Sequence, residues 1–264
     1  VPAAFLRPRL TAARSSVLFS ATLSPRHYYA DLLGTPTDTV WIDVESPFQA
    51  QQLDVQVVSR ISTRFAHRRA SLEPIVALMA RQFSERPGNY LAFFSSFDYL
   101  QQVAGLFAER HPHIATWSQS RRMGEAPRQA FLERFMEHSQ GIGFAVLGGA
   151  FGEGIDLPGS RLIGAFIATL GLAQFNPVNE QMKLRMAAIF GDGYDYTYLY
   201  PGLQKVVQAA GRVIRTQQDR GMVMLIDDRF AEARVQHLLP RWWSVSQEQY
   251  NCCGSELAPT KDLW

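Results

Sequence analysis

Ile142-Gly-Phe-Ala-Val-Leu147 leads without a break into Gly148-Gly-Ala-Phe-Gly-Glu153-Gly154-Ile-Asp156-Leu-Pro-Gly159. The first six residues carry no polar alternation, the pattern of a strand buried on both faces, and such strands belong to parallel sheets. Further β-branched or aromatic runs occur at 16–20, 53–59, 90–95, 114–117, 162–168 and 222–227. Between them, helical periodicity runs through 72–85, 97–109, 126–137, 180–190, 203–215 and 230–239. Strands alternating with amphipathic helices predict an α/β fold with a mainly parallel sheet, and argue against a sandwich or a bundle.

The chain has 264 residues, 47% of them hydrophobic and 19% charged, with a formal net charge of +2. This excludes a disordered or fibrous protein. A chain of this length buries about 75% of its unfolded surface on folding, so no disulfide or metal staple is needed. The longest nearly uncharged apolar run, 162–173, is shorter than the roughly 20 residues of a spanning helix, so no membrane is expected. The two cysteines, Cys252 and Cys253, are adjacent in a polar tail; they form neither a disulfide framework nor a metal-ligand set and are read as reduced cytosolic thiols. Lysine occurs only at Lys183, Lys205 and Lys261, which leaves 23 arginines among 26 basic residues, and the planar arginine fork suits phosphate. The chain begins at Val1 without Met or a signal-peptide pattern and is read as part of something longer.

Three places can carry chemistry. Gln208-Ala-Ala-Gly-Arg212-Val-Ile-Arg215 closes the periodic stretch that follows Tyr200-Pro201-Gly202. At about 100° per residue, a helix over 203–215 puts its apolar residues on one face and Gln208, Arg212 and Arg215 on the opposite stripe. Two guanidiniums one turn apart suit charge spreading over a phosphoryl group, although pairing with nearby acids would use the same residues. The glycine-rich loop after Leu147 sits where open α/β sheets bind ligands, at the carboxyl end of a strand, and brings Glu153 and Asp156 to that edge. It matches neither a dinucleotide nor a P-loop fingerprint. Finally, Ser20-Ala-Thr-Leu-Ser-Pro25 and Phe94-Ser-Ser-Phe-Asp98 are runs that empty into hydroxyls, which contact phosphate backbones but also cap helices. The aromatic stretch 191–200 reads as core packing or, less simply, as a stacking surface.

In order and spacing, these segments resemble the motifs of superfamily 2 helicases of the XPD/DinG type, over roughly residues 15–240. Ser20-Ala-Thr-Leu23 is similar to motif III, 91–97 to motif IV, Phe151-Gly-Glu-Gly-Ile-Asp156 to motif V and 208–215 to motif VI. The match is to the second, RecA-like motor domain. The resemblance implies that residues 1–50 are the end of the first motor domain and a connector with a motif III-like strand. Residues 51–240 would be the RecA-like C-terminal motor domain and 241–264 a tail.

It further implies arginine fingers at Arg212 and Arg215, and nucleotide contacts from Gln208, Gly211, Glu153, Gly154 and Asp156. Nucleic-acid contacts would come from Thr22, Ser95, Ser96 and Gly149. The activity implied is ATP-driven 5′→3′ translocation on single-stranded DNA and unwinding of forked duplexes, in the bacterial cytoplasm and at the nucleoid. Leu170-Gly-Leu-Ala-Gln-Phe-Asn-Pro177 departs from the Pro-rich segment expected after motif V, as in a divergent DinG-like branch.

No lysine follows a glycine, so Walker A is absent, and no D-E-A-H-like Mg²⁺ motif occurs. ATP and Mg²⁺ are therefore expected to be held mainly by a first motor domain outside this chain, and the chain by itself is expected to be inactive. The four-cysteine iron–sulfur cluster of the family would also have to lie outside it, and no metal site is expected here. The alternatives are a non-catalytic nucleic-acid or protein binding module derived from a helicase domain, and an unrelated α/β enzyme with its arginines on a donor phosphate.

Overall fold

Six of the seven expected strands form, and they make one parallel sheet. The computed structural model describes residues 1–149, 151–152 and 155–247. Helices α1 (Ala3–Ala12) and α2 (Arg26–Leu33) precede strand β1 (Leu53–Val58), which is followed by α3 (Arg68–Glu85), β2 (Asn89–Phe94), α4 (Phe97–Arg110), β3 (Thr116–Ser118), α5 (Glu125–Leu132) and β4 (Gly141–Val146). Then come β5 (Gly164–Ala168), α6 (Pro177–Phe190), α7 (Tyr200–Ala210), β6 (Gly221–Ile226), α8 (Ala233–Gln236) and β7 (Ser244–Gln247). The strand order is β3-β4-β2-β5-β6-β1-β7, and every ladder is parallel.

Side-chain alternation along the central strands feeds two cores. Tyr90, Ala92 and Phe94 of β2 meet Ile75, Met79, Val103 and Phe107 of α3 and α4 on one face. Leu91 and Phe93 of the same strand join Phe131 of α5 and Leu203 and Val206 of α7 on the other. Residues of both parities are therefore buried, which explains the unbroken apolar runs in the sequence.

Local signals place the helices that leave the carboxyl edge. Ser96 caps α4, its Oγ accepting from Tyr99 N at 3.3 Å. Asn176 caps α6 in the same way at 2.8 Å, with Pro177 in the first turn and a left-handed Gly191 as terminator. Gly171, at φ +76°, lets the chain leaving β5 touch the start of α7, where a Cβ would lie 2.3 Å from Gly202 O.

Three expectations are corrected. Residues 16–20 form no strand: Val17 and Phe19 stand 83% and 90% exposed, and no strand of the sheet lies beside them to share a ladder. The periodic stretch 203–215 is helical only to Ala210, because the chain turns at Gly211, so Arg212 and Arg215 leave the helix and the single stripe does not exist. The stretch beyond Pro240, expected to be a tail, includes β7, which adds an edge strand to β1 through backbone bonds while its four side chains remain exposed.

The aromatic stretch 191–200 packs. Tyr196, Tyr198 and Leu199 are buried in a π-helical turn, Asp195–Leu199, that continues into α7. Tyr28 of α2 meets Tyr196 and Tyr200 edge-on at 5.3 and 5.1 Å. His27 Nε2 and Tyr200 Oη share a hydrogen bond of 3.0 Å, and Tyr196 Oη donates to Asp31. Helix α2 is thereby tied to the same face as α7.

Asp227 follows β6 fully buried, gripped by Nε and Nη2 of Arg229 at 2.6 and 2.9 Å, and by Thr63 N at 3.0 Å and the Thr63 hydroxyl. Burial pushes its carboxyl up, but Arg229 and Thr63 outweigh that and hold it below the ordinary carboxylate range. Its stabilisation is therefore fully present above the unfolded carboxyl pKa and fades as pH falls through the lower folded value. Asp227→Ala is expected to cost about 3–5 kcal/mol at pH 7, because it strands Arg229, with the deficit shrinking in acid. Urea denaturation of both proteins between pH 2 and pH 7 measures this.

Candidate functional site

The loop after β4 and the turn after α7 meet. Arg212 Nη1 donates to Ile155 O at 3.0 Å and its Nη2 to Gly152 O at 3.3 Å. Arg215 Nε pairs with the Asp156 carboxylate at 2.7 Å, and its Nη2 reaches Ile155 O at 3.5 Å. The two arginines thus hold the glycine loop by its backbone and by one acid. Of the expected nucleotide residues, Arg212, Arg215 and Asp156 are brought together, with Gly211 at the turn and Gln208 half-buried in the last turn of α7. Glu153 and Gly154 lie outside the described residues.

The arginine turn is itself braced. Asp219 accepts from Arg215 N at 2.7 Å, Thr216 N at 2.8 Å and Thr216 Oγ1 at 2.7 Å. Its burial raises the carboxyl pKa, yet these donors bring it below the usual range, so it stays an anion. Gln52, just before β1, donates to the carbonyls of Gln217 and Asp219 at 3.0 and 3.1 Å. Sequence reasoning missed both braces; the Thr216-to-Asp219 spacing was the only signal for one of them, and Gln52 had none.

At the start of the loop, Gly148 has φ +74°, and a Cβ there would lie 3.0 Å from Cδ of Lys205. One of the chain's three lysines therefore lies against the glycine loop from α7, another contact that sequence spacing did not show. Gly149 is half-buried beside it, its N–H donating to Val146 O at 3.2 Å.

The hydroxyl-bearing residues form a second set. Ser95 and Ser96 stand at the carboxyl end of β2; Ser95 Oγ accepts from Arg68 Nη2 at 2.8 Å, whereas Ser96 Oγ is used by the helix cap. Thr22 is in the N-terminal segment, where its hydroxyl accepts from Gln204 Nε2 at 3.4 Å. The structure does not bring Thr22 to Ser95 and Ser96; it lies against α7 instead. The basic run 60–69 could have pointed to Arg68. Arg229 is used by Asp227 and belongs to neither set. Among the described residues, no group of three or more His, Cys, Asp and Glu side chains is placed to hold a metal ion, and no helix is long and apolar enough to cross a membrane.

Residues 79–246 match the helicase C-terminal domain, and the chain belongs to that family, in its XPD/DinG type. It is 24% identical over 91% of its length to the ATP-dependent DNA helicase CHL1 of Coccidioides immitis, covering 33% of that protein. It is 26% identical over 97% of its length to the ATP-dependent helicase DinG of Mycobacterium tuberculosis, covering 39% of it. The chain therefore spans between a third and two fifths of these curated relatives. A solved XPD helicase shares the RecA-like fold at a TM-score of 0.71 and 17% identity, over 93% of this chain and 45% of that one. Xpd4 of S. tokodaii does so at 0.64 and 15%, over 92% and 47%.

The geometry separates two kinds of contact. Arg212→Ala removes two charge-assisted bonds to loop carbonyls and is expected to cost about 1–3 kcal/mol of stability. Asp156→Asn breaks an ion pair whose acid is 69% exposed and is expected to cost less than about 1 kcal/mol. Thermal denaturation of the two variants measures both.

Proposed function

We propose that this chain is the second motor domain of an ATP-dependent DNA helicase. A first motor domain of the same protein lies outside it, with ATP and Mg²⁺ in the cleft between the two. The observation that carries the reading is the contact of Arg212 and Arg215 with the Gly152–Asp156 loop. Two guanidiniums side by side, one of them paired with an acid that is open to water, suit a group carrying several negative charges. ATP hydrolysis supplies the free energy for movement.

In this reading Arg212 and Arg215 neutralise charge on the γ-phosphoryl oxygens, and Gln208 and Gly211 contact the nucleotide from the end of α7. Glu153, Gly154 and Asp156 couple the nucleotide to the DNA strand, Asp156 through its pair with Arg215. Release of Arg215 from Asp156 when a nucleotide arrives would move that loop and, with it, Gly149. Ser95, Ser96, Gly149 and Thr22 then serve as contacts to the backbone of a single strand, the track for 5′→3′ movement and fork unwinding. Residues 1–50 join the two motor domains: α2 is tied to the tyrosines before α7, and the exposed Val17 and Phe19 face a sheet outside this chain.

The chain by itself is proposed to hydrolyse no ATP, for want of Walker A and B motifs. Two adjacent cysteines cannot ligate an iron–sulfur cluster, so any cluster belongs to the remainder of the protein. DNA repair in the bacterial cytoplasm, at the nucleoid, fits the DinG-like resemblance.

An arginine finger is worth roughly 10³-fold or more in phosphoryl transfer. In a longer protein that includes the first motor domain, DNA-stimulated ATPase activity is expected to fall by about that factor in Arg212→Ala and in Arg215→Ala. Turnover that survives both changes would make the arginines structural. Turnover without DNA stimulation would favour the binding-module alternative.

A further inference from the structure

From the end of β1 into the first turn of α3 the chain reads Arg60-Ile-Ser-Thr-Arg64-Phe65-Ala-His67-Arg68-Arg69, four arginines and a histidine around one aromatic residue. Phe65 opens a short 3₁₀ turn, Phe65–His67, and is 85% exposed. It joins neither core. Leaving a large apolar ring in water forgoes burial worth about tenfold or more in an equilibrium constant. The ring is nevertheless held in place. The guanidinium of Arg68 lies 5.3 Å from its centroid and 5.2 Å from that of Tyr99, and it donates to Ser95 at 2.8 Å.

The support behind Arg68 is rigid. Tyr99 is buried in α4, and its hydroxyl is 2.5 Å from Ser71 Oγ, which in turn donates to Arg68 O at 2.7 Å. The charges nearby are unequally engaged. Arg64 pairs with Asp228 and Glu232 at 3.0 and 3.6 Å, and Arg121, which lies over Phe97, pairs with Asp98 at 2.7 Å. Among the described residues no carboxylate forms an ion pair with Arg68 or Arg69. The Arg68 cation is met by two π faces and a hydroxyl, which leaves its field open to an anion.

We propose that Phe65 is a stacking platform for one base of a single DNA strand, with Arg68 positioning the ring and drawing in the adjacent phosphate. Exposed ring, adjoining cation and Ser95 hydroxyl form the combination by which single strands are held without sequence readout. The proposal rests on the DNA-helicase reading above and adds to it a base contact, where Ser95 and Ser96 offer only backbone contacts. A protein partner would more naturally meet an apolar patch than a single ring set among arginines.

The test is fluorescence anisotropy of the full-length protein with labelled oligo(dT), and with an equally long strand that carries abasic sites. Phe65→Ala is expected to weaken oligo(dT) binding about tenfold and to leave abasic-strand binding and the melting temperature unchanged. Phe65→Trp is expected to retain affinity and to add a fluorescence component quenched by oligo(dT) but not by the abasic strand. Wild-type affinity for oligo(dT) in Phe65→Ala would overturn the platform while leaving the helicase reading intact. An equal loss on both strands would also overturn it, since the ring would then serve something other than a base. If the wild-type protein bound no single strand, both the platform and the DNA reading would fall.

Discussion

Burial of β2, β5 and β6 on both faces is the constraint from which the rest of this structure follows. A parallel strand cannot turn straight back on itself, so each crossing needs a covering element, and the helices on the two faces are what exclude water from the central ladders. With Tyr90, Ala92 and Phe94 pointing to α3 and α4, and Leu91 and Phe93 pointing to α5 and α7, neither layer can be removed without exposing a core. The strands all point one way, so the turns that leave them gather at one edge, where Ser95, Ser96 and the glycine loop stand.

The arginine turn depends on this arrangement at one remove. Arg212 and Arg215 are not displayed by a helix; they are aimed by a turn whose acid, Asp219, is anchored to β1 through Gln52. The turn in turn holds the loop that leaves β4. Three elements far apart in sequence thereby become one mechanical unit. A change in what Arg215 binds has a direct route to the glycine loop, and Lys205, lying along Gly148, places a further positive charge on that route.

The N-terminal segment shows what happens where the sheet offers no place. Val17 and Phe19 have the composition of a strand but stay in water, because a strand is stable only when neighbours complete its ladder. Helix α2, in contrast, finds partners in the tyrosines of the π-helical turn, and its Tyr28 is buried there. Within the first 50 residues, then, one part is integrated with the domain and another presents apolar surface outward. That division fits the proposed role of residues 1–50 as a connector between two motor domains.

Local marks along the chain were enough to read the parallel α/β class and six of the strands, and to single out Arg212, Arg215 and Asp156, because doubly buried strands and Gly-Arg punctuation leave periodic or local signals. Tertiary structure alone decided the rest. Periodicity continues past Ala210, so it could not reveal that the chain turns at Gly211 and that Arg212 bonds to carbonyls some sixty residues away. Strand β7 is held through its backbone and has no apolar pattern to read. Ser96 and Ser95 look alike in sequence, and only packing assigns one to a helix cap and turns the other toward Arg68. Propensity and hydrophobic period are properties of neighbours along the chain, whereas a charge acquires its role from whatever the fold sets opposite it.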